Sequence, residues 1–325
     1  MTRVHRPRAE SSVRVQPGTD SGSFEAPPPT AIIEARLEDE ILVPVRRYGN
    51  PDGPRLLLSH GNGLAIDLYY PFWSWLLDDF DVIVFDLRNH GANPLGELGR
   101  HTVPNLCRDL EAVGRAVDRH FGVRPRAGVY HSVSCLAAVL SPSVAVSYAA
   151  LVLFDPPFFQ PGDGQRVFEL ACQQAAARTR IRARRFRSER DFIELMRAQP
   201  AMARVLPEAL RLMANSTLRP DADGYELRCP PEYEAKILAA TPRFSRLVDS
   251  DALPQPVKVI GADPSLKHYF LPPCDLSRTR SLDFESLSGT THLAQLEKPK
   301  ECALRTVDFL QGTGFVRQQP MVKTG

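Results

Sequence analysis

Six short runs, RLLLSHG (55–61), DVIVFD (81–86), AGVYHS (127–132), ALVLFD (150–155), PVKVIGAD (256–263) and SLDFESL (281–287), constrain this chain more than any other feature. Several are continuously apolar over three to five residues, which is the pattern of a strand buried on both faces. Helical patterns separate several of them. The clearest is TVPNLCRDLEAVGRAVDRHFG (102–122), with Thr102 as N-cap, Pro104 in the first turn and Gly122 as the stop. Strands alternating with helices predict an α/β class with a mainly parallel sheet.

The remaining pattern fills in the organisation. AIIEARL (31–37) and ILVPVRRYG (41–49) read as two strands joined by Glu38-Asp39-Glu40, an antiparallel entry to the sheet. An aromatic-rich helix is expected from about Tyr69 to Phe80, and KECALRTVDFLQG closes the chain as a helix. Between ALVLFD and PVKVIGAD the alternation stops. Residues 157–249 read as almost wholly helical, punctuated by Pro207, Pro220, Pro230 and Pro231. The expected organisation is therefore a polar, disordered tail (1–29), a first core part (30–156), a helical lid (157–249) and a second core part (250–325).

Composition narrows the function. The formal net charge is +2, so no strong field points to nucleic acid or an acidic membrane surface. No apolar run reaches the ~18–20 residues of a membrane span. The six cysteines stand singly, without a C-x-x-C pair, and read as reduced thiols of a cytoplasmic protein. No metal or organic cofactor is implied. The expected partner is a small-molecule substrate.

HGNG (60–63), YHSVS (130–134) and GTTHLAQLEKP (289–299) fall at the ends of strands. With these the chain resembles the α/β-hydrolase fold superfamily with a helical cap, over about residues 31–312. That fold sets its nucleophile on a sharp strand-to-helix turn, with the chain order Ser, acid, His. The resemblance implies Ser132 as nucleophile and His292 as its base, since an alcohol is a weak nucleophile until an imidazole takes its proton. It implies an oxyanion hole from the backbone N–H groups of Asn62 and Val133. For the acid it offers Asp263, after the strand PVKVI, with Asp155 as the alternative. Gly261-Ala262-Asp263 is one residue shorter than the family's Gly-x-x-Asp.

Other residues depart from the pattern or stand beside it. The elbow carries Tyr130 and Ser134 where Gly-x-Ser-x-Gly has small residues, so Tyr130 must be accommodated. In DLRNHG (86–91), Asn89 replaces a Gly of the family's turn, and Asn tolerates the left-handed conformation. His60 and His131 read as structural. Phe158 and Phe159 read as pocket candidates. The basic run RTRIRARRFRSER (178–190) reads as a solvated helix face, with a lid entrance for anionic substrates as its alternative. The expected activity is hydrolysis of an ester, thioester or related acyl bond. The alternatives are acyl transfer, C–C cleavage or cofactor-free oxygen chemistry by the same residues, or a non-catalytic binding protein on this fold.

Overall fold

The structure, a computed structural model, describes residues 25–158 and 163–316; most of the tail expected at 1–29, and Phe159, lie outside the described residues. The chain enters by β1 (Ala31–Arg36) and β2 (Leu42–Gly49), an antiparallel pair. There follow β3 (Arg55–Ser59), β4 (Asp81–Phe85), α1 (Val103–Phe121), β5 (Arg126–His131), α2 (Val133–Leu140) and β6 (Tyr148–Phe154). The Tyr69–Phe80 helix is corrected: the segment is a one-turn α-helix, Tyr70–Trp73, between two 3-10 turns, and Pro71, which has no N–H to donate back, separates it from the first of them.

After β6 come α3 (Asp163–Arg180), β7 (Arg185–Phe186), α4 (Glu189–Arg197), α5 (Pro207–Thr217), β8 (Leu218–Asp221), β9 (Gly224–Leu227) and α6 (Pro231–Ser245). The expectation of an almost wholly helical block is corrected here. β7, β9 and β8 form their own antiparallel sheet, separate from the main one. Glu226 ties it together, being buried among Arg184, Arg185 and Arg219. The chain then returns through β10 (Val257–Gly261), β11 (Asp283–Ser286) and α7 (Pro299–Gly312).

The main sheet has eight strands in the order β1-β2-β4-β3-β5-β6-β10-β11, parallel from β4 to β11. β3, β4, β5 and β10 are buried at every position, as their apolar residues favour, with Arg55, Asp81 and Lys258 buried through ion pairs. Alternate side chains serve opposite faces. Leu56, Leu58, Val82, Val84 and Val129 join the core that holds Trp73 and Val307, while Leu57, Ile83, Leu151 and Leu153 join the one under α1. Each such buried side chain contributes roughly 1.5–3 kcal/mol. Thr102 caps α1 by accepting the Asn105 N–H, and Gly122 ends it at φ 78°.

Tyr130 is accommodated without opening the elbow. Its ring is fully buried, its hydroxyl shares a hydrogen bond with Tyr148 (2.9 Å), and it lies against Gly128. A Cβ at Gly128 would sit 2.4 Å from Tyr130 Cε2 and 2.9 Å from Leu151 Cδ2. The glycine one pleat earlier therefore makes the room that the tyrosine takes. Gly128→Ala should destabilise the fold by about 1–3 kcal/mol through overpacking, read as a lower Tm. An unchanged Tm would show that Tyr130 has slack.

Candidate active site

The turn from β5 into α2 places Ser132 at φ 54°, ψ −121°, a conformation that a non-glycine residue rarely adopts. The flanking hydrogen bonds hold it there. Ser132 N–H donates to Phe154 O (3.0 Å), His131 N–H to Ser134 Oγ (3.0 Å), and Ser134 Oγ–H to His131 O (2.8 Å). Ser134 thus closes the turn that a glycine would otherwise leave open. The Ser132 hydroxyl is directed to the imidazole of His292, donating to Nε2 at 3.1 Å.

The loop between β11 and α7 carries His292. Thr291 N–H donates to Glu297 Oε2 (2.7 Å), and the Thr291 hydroxyl donates to the other oxygen of the same carboxylate. Glu297 of the HLAQLEKP motif therefore reaches back to fix the residue before the histidine.

The carboxylate at His292 is that of Asp155, not Asp263. His292 Nδ1–H donates to Asp155 Oδ2 at 2.6 Å. Asp155 follows β6 at φ 37°, and its second oxygen accepts the N–H groups of Ala262 and Cys274 (3.3 Å each). Burial alone would raise its pKa, but the hydrogen bond and charge of His292 and those two backbone donors bring it below the ordinary carboxylate value. Asp263 is spent elsewhere. Oδ1 accepts the N–H and hydroxyl of Ser265 (2.8 and 2.6 Å), and Oδ2 accepts the Gly289 N–H (2.6 Å). The Gly289 and Ser265 donors hold its carboxyl at about 2. The shortened Gly261-Ala262-Asp263 turn thus clasps the base of the His292 loop, and the carboxylate at the imidazole comes from the end of the neighbouring strand.

The loop after β3 faces Ser132 from the other side. Gly61 N–H donates to Tyr69 Oη (3.3 Å) and Gly63 N–H to His90 Nε2 (2.9 Å). This leaves the Asn62 N–H without an acceptor among the described residues. Val133 supplies the first N–H of α2, which has no intrahelical acceptor by position. Asn62 and Val133 both line one cavity with Ser132 and His292. From the other side of that cavity, Asn62 Nδ2 donates to Glu234 O (2.9 Å) of α6, so the block 157–249 grips the loop.

A hydrogen-bonded chain that the sequence did not disclose joins all three loops. His131 Nε2–H donates to the carbonyl of His292 (2.8 Å), so its Nδ1 must accept, and it does so from the Tyr69 hydroxyl (2.7 Å). Tyr69 in turn receives the Gly61 N–H. His60 donates from Nδ1 to Gly61 O (2.7 Å) and accepts the Leu87 N–H at Nε2 (3.0 Å). His131 beside the elbow was the only available signal.

His90, His101 and Cys229 bring possible metal-ligand atoms within 4.8 Å of one another. The hydrogen bonds leave no ring lone pair for an ion. His90 donates from Nδ1 to Arg88 O (2.8 Å) and spends Nε2 on Gly63. Asn89 Oδ1 accepts the Gly96 N–H, so its Nδ2 donates to His101 Nδ1 and the His101 proton sits on Nε2. Asn89 itself stands at φ 65°.

Burial lowers the pKa of His60 to about 4, of His90 and His131 to about 3, and of His101 to about 2, from 6.5. Each folded value lies below the unfolded one, so the unfolded chain binds protons first as pH falls. Stability fully present above about pH 6.5 is lost on acidification. Tm should drop progressively from about pH 6.5 toward pH 4, and a flat Tm over that range would contradict neutral buried histidines.

The cavity has a volume of about 400 Å³ and mainly apolar walls, among them Leu64, Met196, Ile237, Phe270 and Leu271. Phe158, expected there, is instead buried in the core under the sheet. Tyr69, Phe72 and Trp73 are core as well. Of the basic run, Arg178 and Arg182 line the cavity, while Arg184, Arg185, Arg187 and Arg190 pair with carboxylates outside it. All six cysteines are buried free thiols. Among the described residues no helix is long and apolar enough to cross a membrane.

The profile of the alpha/beta hydrolase family matches residues 56–305. Solved structures share the fold at low identity. An E-2-(acetamidomethylene)succinate hydrolase is 19% identical, with a TM-score of 0.68 over 86% of this chain and 100% of its own. A thioesterase domain from the curacin biosynthetic pathway is 16% identical, with a TM-score of 0.66 over 86% and 100%. A thermophilic esterase from Thermogutta terrifontis is 20% identical, with a TM-score of 0.62 over 87% and 99%. No curated protein matches the chain.

Proposed function

Because the chain belongs to the alpha/beta hydrolase family, we propose that it is a serine hydrolase cleaving an ester, thioester or related acyl bond of a small, largely apolar substrate. The observation that carries this reading is one line of hydrogen bonds, Ser132 Oγ to His292 Nε2 at 3.1 Å and His292 Nδ1 to Asp155 at 2.6 Å, opening into an apolar cavity. Relatives in fold named as an esterase and a thioesterase domain accord with that substrate class.

In the mechanism, Ser132 attacks the acyl carbon as His292 takes its proton. Asp155, ionised and buried, keeps the proton on Nδ1 and stabilises the imidazolium. The N–H groups of Asn62 and Val133 receive the negative charge on the tetrahedral oxygen, one such donor being typically worth about 3–4 kcal/mol. His292 then protonates the leaving group, and water repeats the sequence on the acyl-serine. Residues 157–249 act as a lid between core parts 30–156 and 250–325, shaping the pocket and excluding water.

A fluorophosphonate probe tests this reading against a non-catalytic binding protein. One covalent adduct per chain, on Ser132, is expected. Absence of labelling at any serine would overturn it.

A further inference from the structure

The lid's basic run, which the acyl-transfer chemistry does not use, sends two of its arginines into the catalytic cavity. Arg178 lies in the last turn of α3, and Arg182 follows just after it; Thr179 lines the wall between them. Their charges are not equivalent. Arg182 is bound in a bidentate pair with the buried Glu234, NH2 to Oε2 at 2.5 Å and NH1 to Oε1 at 3.3 Å. Arg178 pairs with no carboxylate among the described residues. Glu234 is the cavity's one acidic lining residue, and Arg182 already neutralises it. Among the described residues, Arg178, a solvent-exposed side chain lining the mainly apolar cavity, is thus the arginine left uncompensated there.

From this we propose that Arg178 is a specificity-determining residue, forming a subsite for a carboxylate carried on the acyl chain at the end remote from the scissile bond. This rests on the serine-hydrolase reading for the reaction, and not for the binding. A guanidinium offers a planar fork of donors matched to a carboxylate. Its exposed position sets it at solvent, where a polar end of a substrate stays hydrated while the apolar part fills the cavity. A chain with apolar methylenes between its ester and its terminal anion would use both features of the cavity. Glu234 has a part in this: by occupying Arg182 it leaves Arg178 as the single anchor.

The test compares p-nitrophenyl monoesters of adipate and suberate with the neutral hexanoate and octanoate of the same chain lengths. The expected result is a kcat/KM at least tenfold higher for at least one ω-carboxylate ester than for its neutral partner, the size of a charge-assisted hydrogen bond. That ratio should fall toward one in Arg178→Gln, be largely restored in Arg178→Lys, and be unchanged in Arg180→Gln, an exposed arginine of the same run outside the cavity. Equal rates for both ester types, or a ratio that survives Arg178→Gln, would overturn the subsite while leaving the hydrolase reading intact. A second measurement needs no turnover. Calorimetry on Ser132→Ala should show monomethyl suberate binding at least tenfold more tightly than on Ser132→Ala/Arg178→Gln. Equal affinity, or no binding to either, would overturn the subsite whether or not the protein cleaves esters.

Discussion

Asp155→Asn should cut ester turnover by about 10⁴-fold, while Asp263→Asn should leave it within roughly tenfold of wild type. The first exchange keeps size and burial but removes the charge that fixes the imidazole. An amide at 155 can present its NH2 to Nδ1, which drives the proton to Nε2, where it can no longer accept from Ser132. The second exchange weakens the clasp between Asp263, Ser265 and Gly289, which holds backbone and not the ring. Its effect belongs mainly in Tm. Side-by-side kinetics decide the matter. Near-normal turnover in Asp155→Asn with a collapse in Asp263→Asn would mean that the imidazole changes partner during the reaction.

Ser132→Ala and His292→Ala should each lower turnover on the order of 10⁶-fold, and the double variant should be no worse than either. The two side chains act as one nucleophile, so removing the second takes away nothing that still works. What remains is the catalysis from the oxyanion donors and substrate binding. Additive losses across this cycle, measured as kcat with one activated ester, would show that serine and histidine act independently.

Much of this arrangement was legible in the chain. Buried parallel strands write themselves as short apolar runs, so the existence of the strands and the class followed directly. Ser132, His292, Asn62 and Val133 sit in motifs whose residue types answer to local backbone geometry, and the structure brings all four to one cavity. The acid was not legible in the same way. Asp155 and Asp263 both end buried strands, and the choice between them depends on two turns. One is the left-handed φ of Asp155 and the other the shortened loop that takes Asp263 to Gly289. The first has no spacing that announces it, and the missing residue of the second was visible without showing where the side chain would go. The small sheet within residues 157–249 escaped because its strands are very short and are marked by Pro220 and Gly224, residues that strands ordinarily avoid. The chain from His292 through His131 and Tyr69 to Gly61 joins three segments distant in sequence. Only their assembly reveals it.

Peptide mapping of the acyl-enzyme tests the central claim most directly. The protein is mixed with a slowly deacylating activated ester, quenched in acid within the first turnovers, digested and weighed by mass spectrometry. The account predicts one acyl group per chain, on the peptide that contains Ser132, formed with a burst of released alcohol and absent from Ser132→Ala. Turnover of the ester with no acylated peptide, and at a rate unchanged in Ser132→Ala, would contradict it.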